Sequence, residues 1–211
     1  MDLASYSMLR LERRGRILEI ALNRPEKLNA VNRALHGELA RVFREAATDG
    51  GSDVVILTGT GKCFSAGGDL GFLEECVADP AEFERVAYEG KQIVYALLEL
   101  EKPIVAKVNG PAVGLGATLA LFGDIVFMAD DAHLSDPHVR VGLVAGDGGA
   151  VIWPQLVGFA RAKEFLFTGK PVAAADAVAM GLANRALPAA ELDAAVEAFA
   201  EGLAKGALGA I

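Results

Sequence analysis

Between Val108 and Ala129 the chain reads VNGPAVGLGATLALFGDIVFMA: an apolar strand, a glycine-punctuated turn and a small-residue helix in direct succession. In that arrangement the N–H groups of the turn and of the first helical turn converge on one point. They suit a developing negative charge, because a helix N-terminus leaves unpaired donors at the positive end of its dipole. A second loop of the same grammar, FSAGGDL from Phe64 to Leu70, follows another buried strand, Val54 to Thr58. One backbone donor from each loop would make an oxyanion hole.

The rest of the chain repeats this strand–loop–helix plan. Met8 to Glu12 and Ile17 to Leu22 read as strands joined at Arg14-Gly15, a hairpin signal. Pro25 interrupts the second. Asn32 is placed to cap a helix running to about Ala47, with Leu35, Leu39, Val42 and Ala46 on one face. Glu82 to Leu100 is a long amphipathic stretch, and Pro103 restarts the chain as strand Ile104 to Val108. Ile125 to Met128 is a further strand. Ala160 to Phe167, Ala174 to Met180 and Leu192 to Leu203 read as helices, with strand-like Ala183 to Leu187 between. Repeated units of this kind imply an α/β fold, a parallel sheet layered with helices.

Composition narrows the function. The chain has 211 residues, enough for one domain with a full core. Its net charge of −8 argues against a nucleic-acid partner. The longest apolar run, between Lys107 and Asp124, is broken by glycines and a proline, so no membrane helix is expected. The N-terminus lacks a hydrophobic signal core, and Cys63 and Cys76 have no metal-like spacing. Both read as reduced thiols in a cytoplasmic protein.

The two loops, together with LNRPEKLNAVN (Leu22 to Asn32), SDPHVRVGLVAGDGG (Ser135 to Gly149) and KEFLFTGKPVAAADAVAMGLANRAL (Lys163 to Leu187), resemble the crotonase, or enoyl-CoA hydratase/isomerase, family. Each piece alone is a common glycine-rich pattern; all of them in order are specific. The resemblance implies a ββα superhelix (the ClpP/crotonase fold), an acyl-CoA thioester substrate, no cofactor beyond that coenzyme A, and a homotrimer or dimer of trimers. It also implies a core domain over residues 1–190. Residues 191–211 would begin a C-terminal helical region shorter than the family's usual one, which covers the site and builds the oligomer.

By the same resemblance the oxyanion donors are the N–H groups of Gly68 and Leu115, and they would stabilise a thioester enolate. The RPEKLNA turn would set Lys27, Leu28 and Ala30 along the nucleotide, while Ala66, Asp69 and Leu70 present backbone groups to adenine. At the acid–base positions the chain departs from the family. A hydratase of this family uses two glutamates there, and the aligned residues here are Thr118 and His138. Neither is a carboxylate, which argues against efficient standard hydration, since each acid–base role is worth roughly 10²–10⁴-fold.

His138 titrates near neutrality and is the candidate proton carrier. Asp147 lies in the GLVAGDGG turn, where a chain reversal would bring its carboxylate to the ring, fixing the tautomer and raising basicity. The alternative is that Asp147 only caps a helix beginning near Gly148. Relatives that hydrolyse β-diketones use a His/Asp pair in this region. Thr118 can only hydrogen-bond or pack. Asp124 and Asp136 are candidates for acidic site residues, though strand-edge or turn roles suit them better, and His36 and His133 read as structural. No cluster has metal-ligand spacing and no GxSxG elbow is present. Three functions follow: enolate chemistry on an acyl-CoA, His/Asp-assisted hydrolysis of a β-dicarbonyl or thioester, and non-catalytic acyl-CoA binding.

Overall fold

The computed structural model describes residues 1–211. Strands β1 (Leu9–Arg14) and β2 (Ile17–Leu22) form the expected antiparallel hairpin, turning at Gly15 with φ +57°. Strands β3 (Val54–Gly59), β4 (Ile104–Val108), β6 (Ile125–Ala129) and β9 (Arg185–Leu187) continue one six-stranded sheet in the order β1-β2-β3-β4-β6-β9, parallel from β2 onward. Every residue of β2 and β3 is buried, the signature of strands covered on both faces. Short strands β5 (Ala112–Val113), β7 (His133–Ser135) and β8 (Val172–Ala173) make a second sheet in the order β5-β7-β8.

Helix α1 (Arg33–Ala47) starts where the sequence indicates, because the Asn32 side chain accepts from the Leu35 N–H at 2.9 Å. The stretch after the first loop is a helix as well, α2 (Leu70–Ala78). Asp69 caps it through Gly71 N–H, and Phe72 and Cys76 anchor one face. Asp79 then caps α3 (Pro80–Leu98), with Pro80 at the first helical position. Helix α4 (Leu115–Leu121) is buried along its whole length and packs on β4 and β5. Helix α5 (Gly149–Thr168) includes the anticipated 160–167 segment but begins eleven residues earlier. Its first half was masked in the sequence by the glycine run, by Pro154, and by a break at Gly158 with φ +77°.

Helix α6 (Ala174–Met180) leads through β9 to α7 (Ala189–Ala204). Helix α7 packs on β2, β3, β4 and β6, and buries Leu192, Val196 and Ala200 in the core cluster shared with the strands. A fully buried Leu or Val is worth about 1.5–3 kcal/mol relative to exposure, so this helix is an integral part of the core. One consequence is that no boundary between packed layers falls at residue 190.

Candidate active site

The two glycine loops meet edge to edge. Ser65 N–H donates to Pro111 O at 3.1 Å, and Val113 N–H donates to Ser65 O at 2.9 Å. The Ser65 hydroxyl donates to Asn29 O at 2.9 Å and accepts from Gly67 N–H at 3.2 Å. This buried serine therefore ties three loops together, a role the sequence gave no reason to suspect. Close approach requires glycine: a Cβ at Gly116 would lie 2.6 Å from Ser65 Cβ, and one at Gly67 would lie 3.0 Å from Val113 O.

Within this junction the amides of Gly68 and Leu115 donate to no group of the protein. Leu115 is the first residue of α4, where no intrahelical acceptor exists, and Gly114 before it (φ 55°, ψ −123°) supplies no capping side chain. Their neighbours Asp69 N–H and Gly114 N–H, by contrast, donate to Val31 O and Ser135 O, each at 2.9 Å.

His138 closes the space beside the second loop. A Cβ built on Gly114 would lie 3.5 Å from its Cε1 and 3.8 Å from its Nε2. The ring is held between two carboxylates. Asp136 Oδ1 is 2.5 Å from Nδ1, and Asp147 Oδ2 is 3.4 Å from Nε2. Asp147 Oδ1 also accepts from the Thr118 hydroxyl at 3.1 Å and from Gly149 N–H at 3.3 Å. The chain thus brings His138, Asp147 and Thr118 together. Asp147 accepts from the first N–H of α5 as well as facing the ring. Its carboxylate lies against both residues that align with the missing glutamates.

For Asp136 a turn role was favoured over a place in the site, and the structure gives it the shortest contact to the ring. The signal was present in Asp-Pro-His, since two residues of separation across a proline turn can fold a carboxylate back on an imidazole. Asp136 is 1% exposed. Asp124 does serve the strand edge, accepting from Ile104 N–H at 2.7 Å.

The site's electrostatics follow from burial against pairing. Burial opposes a charge on His138, but the Asp136 hydrogen bond and the charges of Asp147 and Asp136 outweigh it and raise its pKa. Burial raises the pKa of Asp147, with Asp136 adding to the effect and His138 opposing it. His36, on α1, behaves oppositely: burial lowers its pKa despite Glu89 Oε2 at 2.9 Å from its Nδ1.

Asp136, His138 and Asp147 offer ligand atoms within 4.8 Å of one another, close enough for one cation. However, the 2.5 Å contact commits Nδ1 and Oδ1 to each other. Nε2, Asp147 Oδ2 and Asp136 Oδ2 remain without a hydrogen-bond partner, and the last of these is packed against Gly149 at the start of α5.

The coenzyme-binding candidates line the outer rim. Leu28 (φ +52°) is 52% exposed, Leu70 is 71% exposed, and Lys27 is exposed as well. Ala30 N–H donates to Lys27 O at 3.0 Å, and Ala66 N–H to Leu28 O at 2.9 Å, so the turn lies along the first loop. The expectation that Asp69 offers its backbone to a ligand meets a competing use. Its N–H goes to Val31 O, its C=O accepts from Leu73 N–H at 3.0 Å, and its carboxylate pairs with Arg24 at 3.2 Å. Asp69 is a helix cap and a brace.

Residues 12–210 match the enoyl-CoA hydratase/isomerase family. The chain belongs to that family. The carnitinyl-CoA dehydratase of Escherichia coli K12 is 38% identical over 185 residues, which cover 87% of this chain and 69% of the relative. The Proteus mirabilis enzyme of the same name is 36% identical over 200 residues, covering 94% and 75%. An enoyl-CoA hydratase/isomerase from Mycobacterium paratuberculosis superposes with TM-score 0.94 at 39% identity, over 98% of this chain and 83% of that one. The fold is the crotonase ββα superhelix, and the family to which the chain belongs is one of acyl-CoA enzymes.

Proposed function

We propose that this protein generates a thioester enolate, or an equivalent oxyanion, from an acyl-CoA. The Gly68 and Leu115 amides hold the oxygen, and His138 moves the proton. The observation that carries this reading is the pair of unengaged amides in two loops that are hydrogen-bonded side by side, with the imidazole against the second. Donors already in place need no reorganisation when charge develops on the carbonyl oxygen. Asp147, hydrogen-bonded by Thr118, supports the ring and supplies a carboxylate beside both positions where hydratases of the family carry glutamate.

Coenzyme A enters as part of the substrate, and no further cofactor is invoked. Lys27, Leu28, Ala30, Ala66 and Leu70 form its path along the rim, with Lys27 offsetting phosphate charge. Residues 191–211 are taken as the opening of the C-terminal helical part, with α7 packed into the same core as residues 1–190. Assembly as a homotrimer or dimer of trimers has support in the exposed apolar side chains of Val141, Val144, Phe159 and Phe167. A cytoplasmic location accords with the reduced thiols of Cys63 and Cys76, and no helix is long and apolar enough to cross a membrane.

A second reading has its own support. An imidazole flanked by carboxylates can activate water against a β-dicarbonyl, with the same amides holding the tetrahedral oxyanion. A panel of saturated, unsaturated and β-keto acyl-CoAs, followed by mass spectrometry in D₂O, separates the two. Enolate chemistry exchanges the α-proton for deuterium; hydrolysis gives a cleaved acid. Crotonyl-CoA is expected to be hydrated poorly, and His138→Ala to lower turnover by roughly 10²–10⁴-fold. Tight acyl-CoA binding with neither exchange nor cleavage across the panel would instead identify a binding subunit.

A further inference from the structure

We infer that Asp136 is the positioning carboxylate of His138: it holds the Nδ1 proton, so that Nε2 is the nitrogen that exchanges protons. The inference rests on the acid–base role proposed for His138 and extends it to a residue outside that proposal.

The geometry gives Asp136 little else to do. Its Oδ1 takes both the ring, at 2.5 Å, and the His138 backbone N–H, at 3.4 Å. Its Oδ2 is buried with no hydrogen-bond partner. The start of α5 crowds that second oxygen: a Cβ on Gly149 would come within 2.2 Å of it. The carboxylate is therefore clamped in one orientation, and no cation other than an imidazolium lies against it. A buried charge with a single partner makes that partner's protonation favourable, because the alternative leaves the carboxylate unpaired in a poorly solvating interior.

The opposite nitrogen has different surroundings. Nε2 faces Asp147 Oδ2 at 3.4 Å without a hydrogen bond, so this nitrogen is not committed as Nδ1 is, and it lies beside Gly114 at the entry to α4. The charged groups acting on the ring are Asp136, from the end of β7, and Asp147, from the turn ahead of α5. His36 on α1 senses Asp147 from the far side without touching the ring. A neutral imidazole in this setting carries its proton on Nδ1, the tautomer that leaves Nε2 basic.

The chain contains three histidines, so long-range ¹H–¹⁵N NMR of the full protein resolves each ring, with His138→Gln assigning the relevant signals. In the wild type the neutral form of His138 is expected as the Nδ1–H tautomer; an Nε2–H tautomer would overturn the inference even if no Asp136 variant folds. Asp136→Asn, which keeps shape and removes charge, should move the His138 titration to lower pH. Asp136→Ala should also let the tautomers mix, and a midpoint and tautomer unchanged in both variants would overturn the inference. In turnover, Asp136→Asn should lower kcat with KM for the acyl-CoA nearly unchanged; equal losses in both would point to a merely structural role and overturn it. Full activity in His138→Gln would instead sink the acid–base reading, and the NMR result on the Asp136 pairing would stand apart from it.

Discussion

Replacing Leu115 by proline deletes one amide proton from the loop junction and little else. Leu115 is the first residue of α4, where proline is the best tolerated because the N–H there has no intrahelical partner. The preceding residue must avoid a clash between its Cβ and the proline ring, and Gly114 has no Cβ. Under the proposed mechanism the loss is one oxyanion donor, about 2.7–4 kcal/mol of barrier, a fall of roughly 10²–10³-fold in turnover. The Leu115 side chain is 7% exposed, so its shortening also costs packing. Leu115→Ala is the control, since it shortens the side chain and keeps the N–H. The assay is α-proton exchange of a saturated acyl-CoA in D₂O, followed by mass spectrometry, with thermal unfolding of both variants alongside. Leu115→Pro should be folded and slower than Leu115→Ala by the full donor term. If the two exchange at the same rate while both remain folded, the amide does not hold the oxygen and the proposed mechanism fails.

Gly149→Ala should destabilise the protein by about 1–3 kcal/mol, the usual range for overpacking, because its Cβ would lie 2.2 Å from Asp136 Oδ2. Its melting temperature and the His138 NMR signals should both shift, and an unperturbed ring would contradict the crowding described above. Stability should also fall at low pH through the Asp49 cluster. Burial pushes the Asp49 carboxyl up, but hydrogen bonds from Ser52 and Arg13 (each 2.8 Å) outweigh it and hold the pKa below the usual range. A depressed folded-state pKa stabilises fully above the unfolded value, about 3.9, and that contribution disappears as pH falls through the folded value. Urea midpoints measured from pH 6 down to pH 2.5 should therefore drop below about pH 4, and less steeply in Arg13→Ala; parallel curves for the two proteins would refute the assignment.

Much of the architecture was legible because it is written in local chemistry. The Arg14-Gly15 turn, the Asn32 cap and the apolar runs of β3 and β4 each have a physical cause within a few residues of themselves. Helix α2 and the first half of α5 were not legible. Their periodicity is weak, and what stabilises them is distant: Phe72 sits against the His36 ring, 5.9 Å between centroids, and Trp153 is buried in the core. The candidate site divides the same way. Gly68, Leu115 and His138 were singled out through the family resemblance, whose motifs lie in local runs of sequence. The 2.5 Å contact of Asp136, the Ser65 tie and the prior engagement of Asp69 depend on where separate loops end up.

What this sequence determines alone is the alternation of buried strands, glycine turns and helices, together with the set of groups available for chemistry. Patterning of that kind acts over neighbours in the chain and survives without knowledge of partners. Tertiary structure decided which carboxylate reaches which nitrogen of His138, and which amides remain unspent. Hydrogen bonds form over about 3 Å, whereas Asp136 and Asp147 reach the His138 ring, and Thr118 reaches Asp147, from separate elements whose relative placement is set by core packing.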